Sequence, residues 1–313
     1  MPEFNNMISR SNAEVLIPTE DAQEIIQNVP ESSATLKCFR QLPNMSRKQR
    51  KVPVLDVLPV AYFVTGETGT GSLKQTTKMV WEDKYLNAEE IAVIVPIPEA
   101  VLDDADYDIW GQVKPRATEA IGKVIDRSCF YGTNKPSSWP SDILTAATAA
   151  GNVVTLGTGV DLYDDLLAEN GVLAAVEEDG FFVDMNVGAT RMKAKMRGLR
   201  DAEGHPIFHK AQGQKHKYEL DGEDLIFPRN GGIDPTQSLL ISGDSKQAVY
   251  SIRQDITYKV LDQAVIQDET GAIIYNLAQQ DMVALRIVMR LAWQVPNPVN
   301  ALRSRASLVV SSV

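Results

Sequence analysis

The sequence predicts an α+β fold in which a long helix lies against antiparallel strands, and three stretches carry that prediction. Glu89 to Pro136 joins a β-branched strand, a capped helix and a glycine turn in direct succession. Val52 to Ala88 alternates apolar and polar residues on both sides of a glycine-rich tip, the pattern of a long hairpin. From Ser238 onward the chain is rich in strand formers, and Ile252 to Val260 alternates as a half-buried antiparallel strand does.

Composition bounds the functions open to such a fold. A chain of 313 residues with 44% hydrophobic content can build one large or two ordinary domains. Its apolar runs are broken by charge or proline before they reach the length of a membrane span, and the opening MPEFNN lacks the pattern of a signal peptide. A formal net charge of -10 argues against a protein that coats DNA by neutralising phosphates. Cys38 and Cys129 fit no metal or redox spacing and are expected to be buried free thiols.

Along the chain, Met1 to about Ala13 is polar and lacks caps. Glu14-Val15-Leu16-Ile17-Pro18 leads into a short helix that Thr19 can cap, and a second short helix is expected from about Glu31 to Phe39. Ser46-Arg47-Lys48-Gln49-Arg50-Lys51 is the dense basic run of an acidic chain. Such a run usually faces solvent; the sharper reading is a contact with an acidic surface on another subunit. Pro96 and Pro98 suit Ile91 to Ile97 to an edge strand or a strand end. Asp103 and Asp104 supply a cap and early negative charge for the helix that follows. Its apolar stripe runs through Ile109, Val113, Ala117, Ala120, Ile121, Val124, Ile125 and Cys129, and Gly132 ends it. After a loop rich in Pro and Ser, a helix over Asp161 to Glu178 with a weak point at Gly171, a buried strand over Phe181 to Asn186 and a basic helix over Thr190 to Arg197 are expected. Tyr275 to Trp293 is the last long strand region.

No motif points to catalysis or to a cofactor. The hairpin tip, Gly66-Glu67-Thr68-Gly69-Thr70-Gly71-Ser72-Leu73-Lys74, begins like a phosphate-binding loop but places Lys74 two positions late, and strand formers follow it. His205, His209 and His216 lie beside Asp201, Glu203 and Glu219, yet their spacing matches no standard metal site and Lys210, Lys215 and Lys217 would repel a cation. No nucleophile setting accompanies a histidine and an acid. The chain therefore reads as a non-enzyme, with no cofactor and no metal.

The order strand, Pro98-Glu99-Ala100-Val101-Leu102-Asp103-Asp104, amphipathic helix and Phe130-Tyr131-Gly132-Thr133 resembles the tailed-phage major capsid proteins of the Hong Kong 97-type fold. The Ile17-Pro18 entry to a short helix, the Gly243-Asp244 to Ala248-Val249-Tyr250 phrase and the Gln280-Asp281 to Ala284-Leu285-Arg286 phrase extend the resemblance over roughly Glu14 to Asn300. It implies an N-terminal arm over 1–49, an extended hairpin loop over 50–88 and a peripheral domain with its spine helix over 89–140. An axial domain over 141–250 and C-terminal strands over 251–313 that return to the peripheral domain would complete the subunit.

The implied function is self-assembly into pentamers and hexamers that close an icosahedral shell around double-stranded DNA. The implied partners are the chain itself and portal, scaffolding and decoration proteins, with assembly in the host cytoplasm and residence in the virion. An encapsulin-like compartment holding an enzyme is the alternative. Expected subunit contacts join Arg47, Lys48, Arg50 and Lys51 to Asp103, Asp104, Asp106 and Asp108; the hairpin tip with Gly66, Gly69, Gly71 and Lys74 reaches a neighbour; and Pro115 serves as a hinge in the spine helix. Some members of that family link this loop covalently to a neighbour, but no matching asparagine and glutamate motif is found here.

Overall fold

A long helix lying across one face of a four-stranded sheet forms the centre of the subunit. The computed structural model describes residues 33–57, 61, 63, 64, 76, 80–104, 108–157, 159, 161–178, 180–200, 205, 218–295 and 308–312. The expected helix after Thr19 and the glycine tip of the hairpin lie outside them.

The described chain opens on α1 (Ala34–Cys38), capped by the Ser33 hydroxyl, and the short β1 (Arg40–Gln41). β2 (Gln49–Val57) and β3 (Val80–Asn87) pair antiparallel from Gln49↔Asn87 to Val57↔Val80, which makes them the stem of a hairpin. β4 (Glu89–Pro98) follows at once, and its prolines are tolerated because it is an edge strand with one hydrogen-bonded neighbour. α2 (Glu99–Asp103) is a single short turn of helix, and α3 (Ile109–Tyr131) is the long helix.

The acidic residues before α3 divide their roles differently from the sequence expectation. Asp103 ends α2 and Asp104 is its C-cap, whereas Asp108 is the N-cap of α3 and accepts a 2.9 Å hydrogen bond from the Gly111 amide. Gly111 permits this geometry, since a Cβ there would fall 2.4 Å from an Asp108 carboxylate oxygen. At the other end Gly132 adopts φ +69 and closes α3 with a left-handed cap, which glycine adopts without the Cβ clash other residues meet.

The second half of the chain builds another sheet. α4 (Ile143–Ala150) and β5 (Val153–Thr155) lead to α5 (Leu162–Leu167) and α6 (Val172–Glu177). The single helix expected over Asp161 to Glu178 is thus two, broken at Gly171, where a Cβ would lie 2.8 Å from the Leu166 carbonyl. β6 (Met185–Gly188) starts later than expected, and Phe182 is 83% exposed instead of sitting in a buried strand. α7 (Thr190–Arg197), β7 (Tyr218–Leu220), β8 (Glu223–Ile226) and β9 (Leu240–Gly243) follow.

β10 (Val249–Leu261) and β13 (Met282–Gln294) are long antiparallel partners, with the small hairpin β11 (Val265–Gln267) and β12 (Ile273–Asn276) between them in sequence. The first sheet runs β1-β10-β13-β4, so late strands return to lie beside early ones. β14 (Leu308–Ser312) does not join them: it pairs with β5 and β9 in the second sheet, ordered β5-β14-β9-β6-β8-β7. The end of the chain therefore crosses from one sheet to the other, unlike the expected return of the whole 251–313 segment.

Packing follows the alternation of the strands. Leu285, Ile287, Met289 and Leu291 of β13, opposite Val95, Val93, Ile91 and Glu89 of β4, supply one face of the sheet. With the α3 stripe of Ala117, Ile121, Ile125, Cys129 and Phe130 they form a core that continues into the second sheet through Val187, Leu240 and Ile241. Ala292 points to the opposite face and joins Met45, Leu86 and Ala88 in a smaller core under the root of the β2–β3 hairpin. Both cysteines are free thiols, and burial pushes the Cys38 thiol up to about 12 and that of Cys129 well above its ordinary value. Neither has a thiolate's reactivity near neutral pH.

Candidate functional site

Among the described residues, those singled out by the sequence do not converge on one site: Arg47, Lys48, Arg50 and Lys51 lie at the start of the β2–β3 hairpin, Asp103 and Asp104 at the end of α2, Asp108 at the head of α3 and Pro115 within it. The root of the hairpin is the best-defined part. The Ala88 amide donates to the Lys48 carbonyl at 2.7 Å, Gln49 Nε2 donates to Asn87 Oδ1 at 3.0 Å, and Asn87 Nδ2 donates to the Ser138 carbonyl at 2.9 Å. Trp139 Nε1 donates back to the Asn87 carbonyl at 3.0 Å, and Ser138 Oγ donates to Glu89 at 2.7 Å. Two strands alone are marginal in water, so this root fixes the direction in which the hairpin leaves the sheet.

The basic run lies on that root, but its charges are partly used within the chain. Lys51 Nζ is 2.5 Å from Asp83, Lys48 Nζ is 3.7 Å from Glu89, and Arg50 donates to the Pro43 carbonyl at 2.7 Å. The hydrogen bond that Lys51 donates to Asp83, and the negative charge of Asp83, raise the Lys51 pKa. Among the described residues, none of the four basic side chains pairs with Asp103, Asp104 or Asp108 of the same chain. Arg47 is exposed and forms the wall of a shallow groove of about 350 Å³ with Pro43, Asn44, Met45, Ser46, Gln49 and Arg50. Asp103, Asp104 and Asp108 are exposed at the head of α3, with Asp108 already occupied as its cap. Asp106, Gly66, Gly69, Gly71 and Lys74 lie outside the described residues.

Pro115 is half-buried within the first two turns of α3 and leaves the Gly111 carbonyl without its helical N–H. The helix continues past it, with Thr118 Oγ1 donating to the Lys114 carbonyl at 3.0 Å. Of the histidines only His205 is described, and no group of acidic, histidine and cysteine side chains suited to a metal occurs among the described residues.

Sequence reasoning passed over Asp126. It sits in the apolar stripe of α3, has no exposed surface, and receives hydrogen bonds from Ser33, Ala34, Thr35 and Asn230. The signal was present: a carboxylate next to Ile125 and one turn after Gly122 interrupts an otherwise apolar face.

A spine helix backed by one sheet, a hairpin held at its root and a second sheet reached through α4 define a Hong Kong 97-type capsid subunit. The profile of the phage capsid family matches residues 13–303, and the chain belongs to that family. It is 24% identical over 294 residues to the major capsid protein of Staphylococcus phage 80alpha, which covers 93% of this chain and 85% of that protein. A solved structure from Microbacterium phage Oxtober96 superposes with a TM-score of 0.83 at 35% identity, covering 98% of this chain and 99% of the other. One from Mycobacterium phage Adephagia gives 0.83 at 32% identity over 98% of each chain. The family is structural and not enzymatic, and these relatives are phage proteins and not encapsulins.

Proposed function

We propose that this chain, a major capsid protein, assembles through pentamers and hexamers into an icosahedral phage head around packaged double-stranded DNA. The observation that carries this reading is similarity along nearly the whole chain, arm to last strand, to phage capsid relatives. In such a shell residues 1–49 act as an arm and the 50–88 hairpin lies across a neighbour. The sheet-backed spine helix belongs to a peripheral domain, and the second sheet to an axial domain. Separate surfaces of this kind allow one subunit to make several heterologous contacts, and many modest contacts sum across the shell. Portal, scaffolding and decoration proteins complete the head, which is built in the host cytoplasm. An acidic wall has no need to grip DNA loaded by a separate motor. Particles purified from phage-producing cells and treated with nuclease should retain double-stranded DNA; a protected enzyme with no DNA would assign the compartment reading instead.

Arg47, Lys48, Arg50 and Lys51 meet the acidic α3 head of another subunit, around Asp103, Asp104, Asp106 and Asp108. Arg47 carries the test, because Lys48 and Lys51 also have partners within the chain. Arg47→Glu should leave the subunit's melting temperature within about 2 °C, as exposed charges contribute roughly 0–1 kcal/mol. It should also lower particle yield severalfold and make particles more sensitive to salt. Unchanged yield and salt tolerance would remove this contact.

Pro115 serves as the hinge of the spine helix when a precursor shell expands, a rigid-body and hinge transition. Pro115→Ala restores the missing helical N–H and should raise the melting temperature while impeding expansion, read as the ratio of precursor to mature diameters by light scattering. Normal expansion would exclude Pro115 from this role. The hairpin tip with Gly66, Gly69, Gly71 and Lys74 reaches the neighbouring subunit.

A further inference from the structure

We propose that Asp126 is a positioning residue for assembly: its buried carboxylate clasps the root of the N-terminal segment to the spine helix and fixes where that segment leaves the subunit. The inference rests on the reading of the N-terminal segment as an arm that contacts a second copy.

The geometry demands a carboxylate. Asp126 Oδ1 accepts from Ser33 Oγ at 2.5 Å and from the Thr35 amide at 2.9 Å. Oδ2 accepts from the Ala34 amide at 3.0 Å and from Asn230 Nδ2 at 2.7 Å. Each oxygen accepts from at least one N–H that cannot accept in return, Thr35 on Oδ1 and Ala34 and Asn230 on Oδ2, so an asparagine in either orientation would turn its NH₂ group toward another N–H donor. Among the described residues no cation pairs with Asp126, so its desolvation is offset by these hydrogen bonds alone.

The surroundings are cut to admit the approach. A Cβ on Gly122 would lie 3.1 Å from the Ser33 amide, and one on Gly232 would lie 2.6 Å from the Asp126 Cβ. Asn230 is itself held, its Oδ1 accepting from the Gly232 amide at 2.8 Å. Three segments distant in sequence, the residues before the hairpin, the spine helix and the loop after β8, therefore meet at one side chain. α1 is five residues long; Ser33 and Asp126 hold its N-terminus, while Phe39 just past its C-terminus is held in the core, so the clasp sets the end of α1 from which the preceding chain continues.

The test compares Asp126→Asn, Ser33→Ala and a truncation lacking residues 1–32 in three measurements on the otherwise complete chain. These are the thermal melt of the unassembled subunit, the rate of limited tryptic cleavage after Lys37, which is exposed on α1, and the yield of closed shells. In a folded Asp126→Asn subunit, cleavage after Lys37 is expected to rise at least tenfold and shell yield to fall at least tenfold. Ser33→Ala, which removes one donor and should fold, is expected to move both about threefold. If Asp126→Asn does not fold, Ser33→Ala decides. Wild-type cleavage and yield in the deciding variant overturn the clasp, as does a loss of shells that merely tracks the fraction of unfolded subunit. The truncation separates the two levels: if it assembles normally, the arm reading fails; if it does not assemble but the deciding variant does, the clasp alone fails.

Discussion

Replacing Trp293 with alanine should destabilise the subunit by about 3–5 kcal/mol, lowering its melting temperature by roughly 10 °C. Trp293 is fully buried on β13, with its ring centroid 6.3 Å from that of Phe39 and 6.4 Å from that of Trp139. Phe39 in turn lies edge-on to Phe130 of α3 at 5.9 Å. The cluster thus ties the segment before the hairpin, the spine helix and the loop behind the hairpin root to the central sheet. Truncation leaves a large cavity at that junction, and a loss of this size is a large share of a typical folding free energy. Trp293→Phe should cost much less: it keeps an aromatic ring and removes an indole N–H that has no hydrogen-bond partner among the described residues. Thermal melts of the two variants check both points, and equal losses would mean that ring packing is not what Trp293 supplies.

Shortening the hairpin should have the opposite signature, a folded subunit that forms no shell. Replacing residues 58–79 with Asn-Gly retains the described stem from Gln49↔Asn87 to Val57↔Val80 and supplies a two-residue turn suited to a hairpin. The root hydrogen bonds and the small core of Met45, Leu86, Ala88 and Ala292 are untouched. The melt should shift by no more than about 2–3 °C, roughly 1 kcal/mol, while closed particles, counted after gradient sedimentation, fall at least tenfold. Normal particle numbers would show that the distal hairpin is dispensable for assembly.

What could be read from the sequence was local. The edge position of β4 follows from Pro96 and Pro98, the spine helix from its apolar stripe, and its end from Gly132, because each depends on a few neighbouring residues. The start of that helix was misplaced because several aspartates can each cap, and only Asp108 stands three residues before a glycine that leaves room for its carboxylate. Gly171 is a weak point in the pattern, yet the full break rests on the close approach of the Leu166 backbone five residues earlier, a contact the apolar periodicity does not encode. The same holds for β14, whose pairing with β5 and β9 depends on partners about 65–157 positions away. For the candidate surface, the basic run was visible as composition, but the partners of Lys48 and Lys51 depend on the register of β2 with β3 and the turn into β4. Asp126 was hidden for a related reason: a single acid in an apolar stripe has meaning only once its distant donors are in place.

Electron microscopy of particles purified from cells producing this chain tests the central claim most directly. Closed shells of pentamers and hexamers are expected, with this chain as the main protein and the β2–β3 hairpin of each subunit lying across its neighbour. A chain that stays monomeric or stops at a small closed oligomer at every concentration, with the hairpin touching no other subunit, would contradict that claim.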